Sequence, residues 1–137
     1  MKRVVVTGMA GVTAFGNEWP TIRERMQAGR SAVVTMPEWD VYAGLNTRLA
    51  APITDFTLPG HYNRKQTRSM GRVSQLATVA TELALQRSGL LGNEVLTDGR
   101  TGIAYGSSTG STAPISAFGA MLNDKSTEHI TATTYVQ

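Results

Sequence analysis

Arg3-Val4-Val5-Val6-Thr7-Gly8-Met9, continued by Ala10-Gly11-Val12 and closed by Gly16-Asn17, is the stretch on which the fold turns. Arg3 to Thr7 is a β-branched run that reads as a buried strand, since side chains stiff at χ1 suit that pleated setting. Gly8 stops the run, and the glycine-punctuated segment to Gly16 reads as a turn. Asn17 can cap a helix that starts at Glu18, with Pro20 tolerated inside its first turn. Trp19, Ile22 and Met26 fall at i, i+3 and i+7, one apolar stripe, and Gly29 is a suitable stop. Strand, turn and helix in that order open an α/β unit.

Outward from there, residues 30–46 read as irregular, and Arg48 to Thr54 alternates weakly, as an outer strand would. Pro59-Gly60 is a turn. Asn63 with Gln66 three residues on resembles a capping box built from amide side chains. From that box to Ser88 the spacing of Val73, Leu76, Ala77, Ala80, Leu83 and Ala84 predicts the longest helix of the chain, ended by Gly89. Gly102 to Tyr105 predicts a second buried strand, closed by the glycine loop Gly106-Ser107-Ser108-Thr109-Gly110-Ser111. A further helix places Ile115, Phe118, Met121 and Leu122 on one face, and the chain beyond Asn123 is polar. The pattern is α/β with an unfinished sheet, in one domain spanning 1–137 with no internal boundary.

Composition narrows the chemistry. The chain has 137 residues, 41% of them hydrophobic and 17% charged, which is ordinary for a folded domain. A chain of this length can bury about two-thirds of its unfolded surface, enough for a real core. It has no cysteine, which excludes a disulfide scaffold, a thiolate metal site, an iron–sulfur cluster and a cysteine nucleophile supplied by this chain. A net charge of +3 is too weak to argue for nucleic acid by itself. No stretch approaches the ~18 apolar residues of a membrane span. Met1-Lys2 and the valine run imitate a signal peptide, but Thr7-Gly8 interrupts them well short of the roughly 7–15 residues of an h-region. A cytoplasmic location is expected.

Few residues offer chemistry. The Gly8–Gly16 segment occupies the place of a dinucleotide loop but has neither G-x-G-x-x-G nor a Walker lysine, and a structural turn is the simpler reading. The Gly106–Ser111 loop could hold an anion on free amides or line a substrate cavity; alternatively, Ser111 or Thr112 caps the following helix. Between Asp55 and Glu82 there is no acidic residue, while Arg64, Lys65, Arg68 and Arg72 all fall there. On one continuous helix, Arg64, Arg68 and Arg72 share a face, and their mutual repulsion points to an external anionic partner. A solvated face is the simpler alternative; nucleic acid is one candidate partner, though no aromatic stacking residues are interleaved, and an acidic protein surface fits as well. His61 and His129 have no evident partners and read as structural or solvated; no catalytic set, metal site or cofactor site is defined.

Three segments in register resemble the amino-terminal part of type II β-ketoacyl-acyl-carrier-protein synthases. They are Arg3 to Met9 with Gly11-Val12 and Gly16-Asn17, then Arg64-Lys65-Gln66-Thr67-Arg68-Ser69-Met70, then Gly102 to Gly110. The resemblance implies a thiolase-like α/β fold, layered α-β-α-β-α, of which this chain is an incomplete part of the amino-terminal half. It implies a decarboxylating Claisen condensation in fatty acid or polyene/polyketide synthesis, in which a cysteine takes an acyl chain that malonyl carrier protein then attacks. That cysteine, its two histidines and its lysine are expected beyond Gln137, so the resemblance assigns no catalytic residue here and implies that the chain alone is silent.

Carried over residue by residue, Lys65 and Arg68 match basic positions that meet the acidic acyl carrier protein in the family. Ser69 stands where a lysine is common, which leaves a larger role to Arg64 and Arg72. Ser108, Thr109 and Gly110 match the wall of the acyl pocket, with Thr109 at a position that often holds a bulky apolar residue. The expected partners are acyl carrier protein, acyl and malonyl thioesters, and a second synthase subunit in a homodimer or heterodimer, with no nucleic acid, membrane, metal or cofactor. Two other readings stay open at this point: a non-catalytic chain-length-factor subunit, and a small Rossmann-like nucleotide-binding module.

Overall fold

The computed structural model describes residues 3–137; Met1 and Lys2, which begin the signal-like segment, lie outside the described residues. Contacts between residues group the chain into two compact units. One is 10–57, and the other joins the segment ending at Met9 to 58–137.

In the unit 10–57 the glycine-punctuated segment is a tight turn. Thr13 and Gly16 exchange two backbone hydrogen bonds of 3.0 and 2.9 Å, and the Thr13 hydroxyl accepts the Phe15 N–H at 3.1 Å. Helix α1 spans Trp19–Gln27 with Pro20 in its first turn, as expected, but its N-cap is Glu18 and not Asn17. Ile22 carries the apolar stripe inward, while Trp19 and Met26 stay exposed. Arg25 lies over the Phe15 ring at 5.8 Å. Strand β1, Val34–Thr35, pairs antiparallel with β2, Leu49–Ala50, so the stretch read as irregular contains a strand and a 3₁₀ turn at Pro37–Val41. The outer strand expected over 48–54 shortens to two residues. Pro52 has no N–H to offer a ladder, which accounts for the early end.

In the other unit, Tyr62 N–H closes the Pro59-Gly60 turn on the Pro59 carbonyl at 3.1 Å. The helix expected from the capping box to Ser88 is two helices. Helix α2 covers only Arg64–Thr67, and α3 covers Arg72–Arg87, with Gly71 as its N-cap. A glycine there offers no side chain to the first amides of α3. Gly89 ends α3 as the pattern requires: at φ 70° its N–H bonds the Gln86 carbonyl at 3.1 Å, and Leu90 N–H bonds Leu85 at 2.9 Å, the paired closure of a left-handed C-terminal residue. Gly8 packs against this end of α3, where a Cβ would stand 2.5 Å from the Ala84 carbonyl oxygen, and Arg87 Nη1 donates to the Met9 carbonyl at 3.0 Å. Helix α4 spans Thr112–Asp124, and its Phe118 meets Tyr135 edge to face at 5.3 Å.

The two strands read as buried, 3–7 and 102–105, are not strands among the described residues, and their side chains are not buried. Val4 is 95% exposed and Ile103 88%. The sequence pattern is that of a sandwiched strand, but a strand exists only where a neighbour accepts its ladder, and among the described residues none does so. Among the described residues the buried apolar side chains are Ile22 and Val79.

Candidate functional site

The basic segment is the most built feature of the unit that holds 58–137. Asn63 starts it: its side chain accepts the Gln66 N–H at 3.1 Å while Gln66 Oε1 accepts the Asn63 N–H at 3.0 Å, so the capping box forms with amides in place of the usual hydroxyl and carboxylate. Thr67 Oγ1 adds a bond to the Asn63 carbonyl at 3.2 Å. Arg64 and Lys65 occupy the first positions of α2, Arg68 is its C-cap, and Arg72 is the first residue of α3. All four are exposed. Because the helix breaks at 68–71, the single arginine face predicted from i, i+4, i+8 spacing does not exist. The cations are gathered by a break between two helices.

The side-chain cap of α3 comes from elsewhere in the chain. Ser111 was open to reading as the cap of its own helix, and it is the N-cap residue of α4, yet its hydroxyl bonds into α3 by accepting the Val73 N–H at 3.3 Å. Ser111 is 6% exposed. It supplies from a distance the acceptor that Gly71 lacks. Gly71 is close enough that a Cβ on it would collide with Ser111 Oγ and stand 2.7 Å from the Gln137 carbonyl oxygen. Gln137 Nε2 reaches the Arg68 carbonyl at 3.5 Å. This junction ties the glycine loop to the start of α3.

His61 has partners that its sequence position did not disclose. Its Nε2 lies 3.0 Å from Glu82 Oε1 and 3.1 Å from Oε2, and Tyr62 Oη donates to Glu82 Oε2 at 2.6 Å. Burial, then the hydrogen bond to Glu82, then the carboxylate charge push the Tyr62 hydroxyl up to about 12. Tyr62 and Glu82 edge an open apolar groove of about 490 Å³, walled by Val73, Ala77, Leu85 and Ile103. Nothing in the sequence pairs 61 and 62 with 82 except the helical register that brings Glu82 to the near face of α3.

Ser108, Thr109 and Gly110 are exposed, in a loop where the Ser107 hydroxyl accepts the Gly110 N–H at 2.9 Å. They do not border the apolar groove. Among the described residues, no group of three or more acidic, histidine or cysteine residues could hold a metal ion, and no helix is long and apolar enough to cross a membrane.

Residues 1–136 match the sequence profile of a family described as "Beta-ketoacyl synthase, N-terminal domain". The chain is 37% identical over 94 residues to nodulation protein E of Rhizobium meliloti, covering 68% of this chain and 23% of that protein. It is 31% identical over 111 residues to 3-oxoacyl-[acyl-carrier-protein] synthase 1 of Haemophilus influenzae, covering 81% and 27%. The chain therefore spans about a quarter of the length of these relatives. A crystal structure of a beta-ketoacyl synthase from Burkholderia phymatum superimposes on all of it with a TM-score of 0.91 and 55% identity, covering 34% of that protein. The ishigamide ketosynthase/chain length factor matches 99% of the chain at a TM-score of 0.70 and 22% identity, a likeness of fold.

Proposed function

The chain belongs to the beta-ketoacyl synthase family, within its N-terminal domain, and on that premise we propose that it is part of a β-ketoacyl-acyl-carrier-protein synthase. The fold is thiolase-like, and the chain is a partial domain of it. The observation that carries the functional reading is the superposition of the whole chain, at 55% identity, on a beta-ketoacyl synthase. The match favours a synthase over a nucleotide-binding module and over a chain-length-factor subunit, whose resemblance is one of fold.

In this reading the full-length enzyme extends an acyl chain by decarboxylating condensation with malonyl carrier protein, in fatty acid or polyene/polyketide synthesis. Residues 1–137 contribute scaffold to one undivided domain. Arg64, Lys65, Arg68 and Arg72 steer the acidic carrier protein, an effect exerted mainly on the association rate. Their support is the exposed cluster at the α2–α3 break, with no carboxylate in the sequence between Asp55 and Glu82. Ser108, Thr109 and Gly110 form a wall of the acyl pocket, completed by parts of the enzyme outside this chain. A thioester intermediate needs a thiolate, and this chain has no cysteine, so the nucleophile comes from elsewhere in the enzyme. The enzyme works in the cytoplasm as a homodimer, or as a heterodimer with a related subunit.

The direct test supplies the full-length synthase with an acyl thioester and malonyl carrier protein. Carbon dioxide release with a β-ketoacyl product lengthened by two carbons is expected. Acyl transfer to water with no carbon–carbon bond formed would overturn the assignment.

A further inference from the structure

Glu82, in the second half of α3, is the first carboxylate after Asp55. Its side chain is 16% exposed and receives Tyr62 Oη at 2.6 Å and His61 Nε2 at 3.0 Å. The two rings that converge on it lie 4.4 Å apart. His61 and Tyr62 immediately precede Asn63, the cap of α2. The bonds that build α2 itself are local: the capping box, the Thr67 hydroxyl, and one helical turn of backbone. One turn of helix has almost no stability alone, because nucleation costs more than a single turn returns. Two bonds to Glu82 therefore tie the residues just before α2 to α3.

We propose that Glu82 is a positioning residue for the acidic partner, holding Arg64 and Lys65 in a docking-ready place through Tyr62 and His61. This rests on the docking role given to Lys65 and Arg68 above. Two consequences follow. A latched segment does not have to be ordered at each encounter, so the binding-competent fraction stays high. Glu82 is also held by Tyr62 and His61, so its carboxylate is not drawn into an ion pair that would cover Arg64 or Lys65.

The test uses the full-length synthase with two substrates, an acyl carrier protein thioester and a small-molecule thioester that needs no docking. Glu82→Leu is expected to raise KM for the carrier-protein substrate about tenfold, the loss of two hydrogen bonds to a charged group partly offset by solvent. The small thioester should keep its kcat and KM. Glu82→Gln should restore most of the difference, because its amide oxygen still accepts from Tyr62, and Tyr62→Phe should show an intermediate rise. If Glu82→Leu does not fold, the Gln and Phe variants carry the same comparison. An unchanged carrier-protein KM in these variants, alongside a raised KM in Lys65→Glu, would overturn the latch and leave the docking face standing. An unchanged KM in Lys65→Glu and Arg68→Glu as well would overturn both. An equal loss on both substrates would reduce Glu82 to a structural residue and overturn the proposal.

Discussion

Replacing Gly71 by alanine adds one methyl group and should cost as much as many core truncations. The backbone would accept it: Gly71 has φ −70° and ψ 173°, a region open to any residue. Relieved of sterics, the change would be near neutral, with the smaller unfolded-state entropy of alanine set against its weakness as an N-cap. Sterics decide the sign. The new Cβ would collide with Ser111 Oγ and lie 2.7 Å from both Ser111 Cβ and the Gln137 carbonyl oxygen. Those last two distances are about 0.7 Å inside ordinary van der Waals contact, on the steep wall of the potential. Relief requires α4 to move off α3, and that movement breaks the bond from Val73 N–H to Ser111 Oγ. Overpacking contributes about 1–3 kcal/mol and the lost cap about 0.5–2 kcal/mol, so a loss of about 2–4 kcal/mol is expected. Urea unfolding of the full-length synthase measures it, with Ser111→Gly and the double variant completing a cycle. Ser111→Gly removes two of the three clashes, so Gly71→Ala should cost at least about 1 kcal/mol less in that background. A Gly71→Ala midpoint within experimental error of the parent, or strict additivity in the cycle, would refute the reasoning.

Gly8→Ala should destabilise by about 2–3 kcal/mol, since its Cβ would meet the Ala84 carbonyl oxygen at 2.5 Å and the Ser88 amide at 3.0 Å, backbone atoms that cannot turn aside; an unchanged urea midpoint would contradict the packing described. The Tyr62 hydroxyl is raised from 10.0 to about 12, so the folded state holds its proton more tightly than the unfolded chain does. Its stabilisation is complete below pH 10 and fades as pH rises from 10 to about 12; comparing unfolding of the parent and Tyr62→Phe across that window should show the gap closing, and a constant gap would rule it out. Reversing charge at Lys65 and Arg68 in the full-length enzyme should weaken carrier-protein binding most at low salt, where screening is least, and unchanged low-salt binding would remove the docking role. Thr109→Ile should shift the acyl-chain profile toward shorter or more flexible chains, and an identical profile would separate Thr109 from the pocket.

Local features were legible in the chain because their causes are local. The Asn63–Gln66 capping box, the Pro59-Gly60 turn, the Gly89 stop and the Pro20 helix start each depend on residues within a turn of one another. So does the basic cluster at 64–72, which is a fact of order along the chain. Its arrangement was not legible: reading one helix from 63 to 88 put three arginines on a shared face. Helical periodicity continues in sequence across 68–71, whereas the real chain breaks there, at a glycine whose missing side chain is replaced by Ser111 from 40 residues away.

Taken by itself, then, the sequence determined the family, the turns, the caps and the place of the positive charge. It also determined that this chain brings no thiol to the chemistry. Only tertiary structure decided that His61 and Tyr62 meet at Glu82 and that Ser111 caps a helix other than its own. It also decided that, among the described residues, the valine run at 4–6 and Ile103 lie open. Composition and periodicity report what a segment is suited to bury or pair. Whether it does so depends on which distant atoms arrive at bonding distance, and a strand or a carboxylate acquires its role only from that partner.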